Sequence, residues 1–166
     1  MRTICQTLLV ALALVAGLFA ANAEAQTNDR HAGYYYPKPQ SIEFYEPRAK
    51  ILPDSNKRRR IGFTVQLAEQ TLKRPYAPEL AIFAKGADAE KLIIVSMREG
   101  YADTLFRARA LLAQLTAVSR GTPLMQNLGV ADSFTFFDLL VLMGFEQMTI
   151  SDGHEFAHQV KFEAPQ

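Results

Sequence analysis

Along the chain the first regular pattern is Ile61, Phe63, Val65 and Leu67 alternating with Gly62, Thr64 and Gln66. This period of two predicts a half-buried strand. Past the turn signal Pro75-Tyr76-Ala77-Pro78, Leu80 to Ala84 reads as a second strand. Leu92-Ile93-Ile94-Val95 is apolar at every position, which predicts a third, central strand covered on both faces. From Asp103 to Arg120 the period lengthens: Leu105, Ala108, Leu112 and Leu115 fall on one helical stripe, with Asp103 placed to cap it and Gly121 to end it. A second helix is signalled by Asp132 as its cap and by the run from Phe136 to Met143, ended by Gly144. It is apolar nearly all round and should be deeply buried.

The C-terminal segment reads as a hairpin. Met148 and Ile150 stand on one side, Phe156, Val160 and Phe162 on the other, with Ser151-Asp152-Gly153 between. A three-residue loop sets Ile150 opposite His154 and Met148 opposite Phe156, which keeps the apolar residues on one face. The order is three strands, two helices and a hairpin. That predicts an α+β domain over residues 57–166, with a mostly antiparallel sheet of about five strands carrying the helices.

Upstream the pattern is different. Arg2 precedes an apolar run from Leu8 to Ala21, followed by the small-residue sites Ala21-Asn22-Ala23 and Ala23-Glu24-Ala25. These are the parts of a secretory signal peptide, residues 1–25, with cleavage expected after Ala25. Its run of about 14 apolar residues is too short for a spanning helix, which needs about 20. Cys5 precedes that run, so it does not serve as a lipoprotein cysteine. Residues 26–56 are punctuated by Pro37, Pro39, Pro47 and Pro53 and carry Tyr34, Tyr35, Tyr36 and Tyr45. They read as an irregular, extended arm whose rings fasten onto the domain or dock a protein partner.

Charge narrows the partners. The formal net charge is +1, and the signal removes one cation and one anion, Arg2 and Glu24. Such a balance points away from nucleic acid and from a membrane surface after cleavage. The basic run Lys57-Arg58-Arg59-Arg60 reads as a solvated edge before the first strand. The chain's single cysteine is Cys5, so the exported part has no thiol and burial must supply its stability. The expected location is the periplasm or the extracellular medium.

His31-Ala32-Gly33-Tyr34-Tyr35-Tyr36-Pro37, Ile82-Phe83-Ala84-Lys85-Gly86, Ala89 to Val95, and Ser151-Asp152-Gly153 ahead of Ala157-His158-Gln159-Val160 together give the chain a likeness that spans nearly all of it beyond the signal. In these strings it resembles small exported alphaproteobacterial proteins often labelled molybdopterin-guanine dinucleotide biosynthesis proteins. The resemblance implies a role related to that dinucleotide. The residues themselves carry no Gly-rich phosphate loop, the device such nucleotide chemistry uses, and the glycines are dispersed singly.

One string matches a catalytic template. His154-Glu155-Phe156-Ala157-His158 fits H-E-x-x-H, in which two histidines one helical turn apart hold zinc and the glutamate acts as general base. His154 and His158 are thus the candidate metal ligands of a zinc-dependent hydrolase. Residues 154 to 163 alternate with period two, however, and on a strand Glu155 would face away from both histidines. Ser96, Ser119, Ser133 and Ser151 lack a nucleophile-elbow context. Asp138 interrupts the apolar second helix and is expected to be an acid in its first turn, favoured by the helix dipole. The sequence as a whole reads as an exported accessory or binding protein rather than an enzyme. No cofactor is implied, and the zinc hydrolase stands as the alternative.

Overall fold

The computed structural model describes residues 37–72 and 79–163, apart from the side chains of residues 71 and 72. The signal peptide, Tyr34 to Tyr36 and the Pro75–Pro78 turn lie outside the described residues. The elements are β1 (Ser41–Tyr45), α1 (Lys57–Leu72), β2 (Leu80–Lys85), β3 (Lys91–Ser96), α2 (Leu105–Arg120), α3 (Pro123–Asn127), α4 (Phe136–Leu142), β4 (Gln147–Ser151) and β5 (Ala157–Phe162).

The fold is α+β, with a mixed five-stranded sheet in the order β1-β5-β4-β3-β2 among the described residues. The β2–β3 and β4–β5 pairs are antiparallel, while β3–β4 and β1–β5 are parallel. The expected antiparallel bias is therefore corrected. Its cause is the long connection through α2, α3 and α4, which returns the chain beside β3 in the same direction, as parallel pairing requires.

Three local readings change as well. Residues 61–67 belong to helix α1, not to a strand. Asn56 caps it, accepting a hydrogen bond from the Arg59 N–H at 3.0 Å on its side-chain oxygen. Phe63 and Leu67 then turn inward one helical turn apart, while Ile61 and Val65 stand exposed. Lys57 to Arg60 accordingly form the first turn of a helix and not an edge before a strand. Within the segment read as irregular, residues 41–45 form the edge strand β1, and the short helix α3 was not anticipated.

Caps differ by a few residues from expectation. Thr104 rather than Asp103 caps α2, while Asp103 pairs with Arg107 at 2.7 Å. Thr135 rather than Asp132 caps α4. The hairpin register also shifts, to Ile150 opposite His158 and Met148 opposite Val160. A loop over residues 152–156 takes up the difference, held by the Asp152 carboxylate, which accepts hydrogen bonds from the N–H groups of His154, Glu155 and Phe156. The displacement is an even number of residues, so every side chain keeps its face.

The core lies between one sheet face and the helices. Leu92 and Ile94, Met148 and Ile150, and Val160 meet Leu111, Leu112 and Leu115 of α2 and Phe136, Leu139 and Leu140 of α4. β3 is buried at every apolar position, on both faces, as its unbroken apolar run predicts.

Candidate functional site

Helix α1 presents one stripe, Arg59, Gly62, Phe63, Gln66, Leu67 and Gln70, at the three- and four-residue spacings that align side chains along a helix. The stripe does not close against its neighbours. Between it and Leu115 and Val118 of α2, Phe136 and Leu139 of α4, and Met143 lies a cavity of about 460 Å³. Its walls are mostly aliphatic and aromatic. Among the described residues Arg59 is its only charged lining residue, with Gln66, Gln70, Ser119 and Thr122 as the polar remainder.

Gly62 is informative here. A glycine inside a helix costs about 1 kcal/mol relative to alanine. A Cβ at this position would meet nothing within 4 Å, and the backbone has no left-handed φ to demand glycine. Gly62 is one of the lining residues, and the space beside it is unfilled.

The base of α1 is fastened on two sides. Lys57 Nζ donates to the Ala87 carbonyl at 2.8 Å and Arg60 Nε to the Asp88 carbonyl at 3.0 Å, both in the β2–β3 loop. Ser55 Oγ donates to the Met143 carbonyl at 2.6 Å. Gly144, with φ of 79°, ends α4 beneath this contact, and a Cβ there would collide with Ser55 and Arg60. Arg59 pairs with Asp54. The first turn carries four cations and no acid, against the preference of the positive helix end for anions.

The residues singled out for zinc separate in the fold. His154 and Glu155 are exposed in the β4–β5 loop, whereas His158 is fully buried within β5. The helical turn that H-E-x-x-H requires is not formed, and the strand begins only at Ala157. Among the described residues no group of three or more histidine, cysteine, aspartate or glutamate side chains could hold a metal ion.

His158 instead joins a chain of polar contacts between strand and helix. Its Nδ1 lies 2.7 Å from Ser41 Oγ on β1. Its Nε2 has no hydrogen-bond partner among the described residues and stands 3.6 Å from a Glu43 carboxylate oxygen. Glu43 is itself paired with Arg109 of α2. Burial pushes the imidazole pKa below its ordinary value, and Arg109 acts in the same direction against the pull of Glu43 and Ser41. The Ser–His–Glu order resembles a nucleophilic triad. Yet 3.6 Å is beyond hydrogen-bond range and the carboxylate is committed to an arginine, so the acid does not orient the ring. The arrangement clasps β1 to β5.

Asp138 is buried in the first turn of α4, where the sequence placed it. Its Oδ1 accepts from the Arg48 N–H at 2.9 Å. Its Oδ2 accepts from the Thr135 N–H, the Thr135 hydroxyl and the Tyr45 hydroxyl at 2.8 to 3.0 Å. With its lone pairs engaged, this carboxylate is structural. Burial chiefly raises the Tyr45 pKa above its ordinary value, with Asp138 adding to the rise and the Thr135 hydrogen bond opposing it.

The cavity, which no local sequence pattern announced, is therefore the arrangement best suited to hold another molecule. Gly62 within an otherwise helix-favouring segment was its one available sequence signal. Comparison of the chain with protein families, curated proteins and solved structures gives no match.

Proposed function

We propose that this chain is a non-catalytic binding protein that works outside the cytoplasm after signal cleavage near Ala25 and takes an apolar small molecule in the cavity along α1. The observation that carries the reading is a preformed cavity of about 460 Å³ with largely apolar walls, within the 300–1,000 Å³ typical of ligand pockets. A neutral, environment-sensitive fluorophore such as N-phenyl-1-naphthylamine tests it. The purified protein should bind the probe saturably at one site. Gly62→Leu, which adds a side chain to the cavity lining, should weaken binding at least tenfold without lowering the melting temperature. Unsaturable probe uptake, or equal affinity in the variant, would count against the cavity as a binding site.

A further inference from the structure

Resting on that reading, we propose that the ligand is a single-chain amphiphile with an anionic headgroup, its tail lying along α1 and its head held at Arg59. The described lining residues of α1 run from Arg59 to Gln70, which at about 1.5 Å per residue makes a slot at least roughly 16 Å long. An elongated slot selects an extended chain over a compact ring system. Phe63, Leu67, Phe136 and Leu139 line its middle, so a charge carried into that stretch would lose its hydration without finding a partner. Among the described lining residues, Arg59 is the one that offers a charged head a partner.

The sign of that charge follows from the same end. Arg59 is partly exposed and spends its Nη1 on Asp54, while a guanidinium carries five N–H donors. Donors remain for a second carboxylate, sulfate or phosphate oxygen. Lys57, Arg58 and Arg60 share this turn, and the positive pole of the α1 dipole adds to their field. Against them stand Asp54, and Asp88 and Glu90 in the β2–β3 loop. The carboxylate of Glu90 is turned toward the Asp88 N–H at 3.0 Å. The balance around the first turn of α1 is cationic, which disfavours an ammonium head beside Arg59 and favours an anionic one.

Competition against the bound neutral fluorophore tests this, using dodecanoate, dodecanol and dodecyltrimethylammonium below their aggregation concentrations. Dodecanoate should displace the probe about tenfold more tightly than dodecanol, as expected of a charge-assisted hydrogen bond. The ammonium should be weakest. Arg59→Gln should bring acid and alcohol to within about twofold of each other, and Asp54→Asn, which frees a donor of Arg59, should widen the gap. Probe binding that Gly62→Leu blocks but that acid and alcohol displace equally would overturn the headgroup assignment and leave the cavity reading standing. A probe that does not bind the cavity at all would overturn both.

Discussion

Asp138 and His158 are both fully buried polar side chains, and their surroundings treat them in opposite ways. Donors surround the Asp138 carboxylate, whereas one ring nitrogen of His158 has no hydrogen-bond partner among the described residues. The position of Asp138 could be read from its place after Thr135. Its bonds to Tyr45 and Arg48 could not, because those residues arrive from about ninety positions upstream. For His158 the sequence supplies the face and a partial burial beside Phe156 and Val160, but not the full enclosure, since Ser41 and Glu43 sit on a strand that reads as irregular. Its depressed pKa makes a pH prediction. In the unfolded chain the ring titrates near its ordinary value of 6.5, while the folded site refuses the proton. Stability from this group is fully present above about pH 6.5 and declines as pH falls below it toward the lower folded pKa, because the unfolded chain then binds more protons. Thermal melts from about pH 7.5 down to pH 5 should show this decline, and His158→Gln should flatten it. A variant with the same pH slope as the parent would assign the acid sensitivity to other groups.

Among the elements, β3 and α2 were legible because nothing competes with their patterns: one is apolar throughout and the other carries a single stripe over four turns. α1 was misread because two periodicities coincide in it. Phe63 and Leu67 serve a strand and a helix equally, and the exposed Ile61 and Val65 complete a false alternation. The decisive signals were Asn56 as a cap and the straight-chain residues that follow it, which favour a helix. β1 was hidden for the opposite reason. Its polar residues Ser41 and Glu43 turn toward His158 while Ile42 and Phe44 face outward and exposed, an inversion of the usual pattern. The α1 assignment predicts paired stability effects. Asn56→Ala should lower stability by about 1 kcal/mol through loss of the cap, and Gly62→Ala should raise it by about 0.5–1 kcal/mol, since the new methyl meets no neighbour. Chemical denaturation of both variants checks this. A neutral Asn56→Ala together with a destabilising Gly62→Ala would contradict a helix here.

For the molecule as a whole, β1 occupies one edge of the sheet and so determines what β5 presents. The strand is short, but it is tied along its length. Its backbone ladder runs from Ser41 beside His158 to Tyr45 beside Phe162, and the Glu163 N–H donates to the Tyr45 carbonyl at 3.0 Å beyond it. The Tyr45 ring lies 4.9 Å from that of Phe137 and 6.3 Å from that of Phe162, so it links sheet to helix while its hydroxyl reaches Asp138. The proline-rich approach and the sheet are thus parts of one folded unit from at least Pro37 onward. A chain beginning at Glu46 would lose the ladder, the ring contacts and the Ser41–His158 bond together. Loss of the half-buried Tyr45 ring alone costs about 1–3 kcal/mol, which corresponds to a melting temperature lower by several degrees. The bared β5 would also offer unpaired N–H and C=O groups to other chains. Comparison with a chain beginning at Gln26 should therefore show both a lower melting temperature and concentration-dependent aggregation of the shorter form. Equal melting temperatures would mean that β1 is a tether lying on the sheet and not one of the strands that stabilise it.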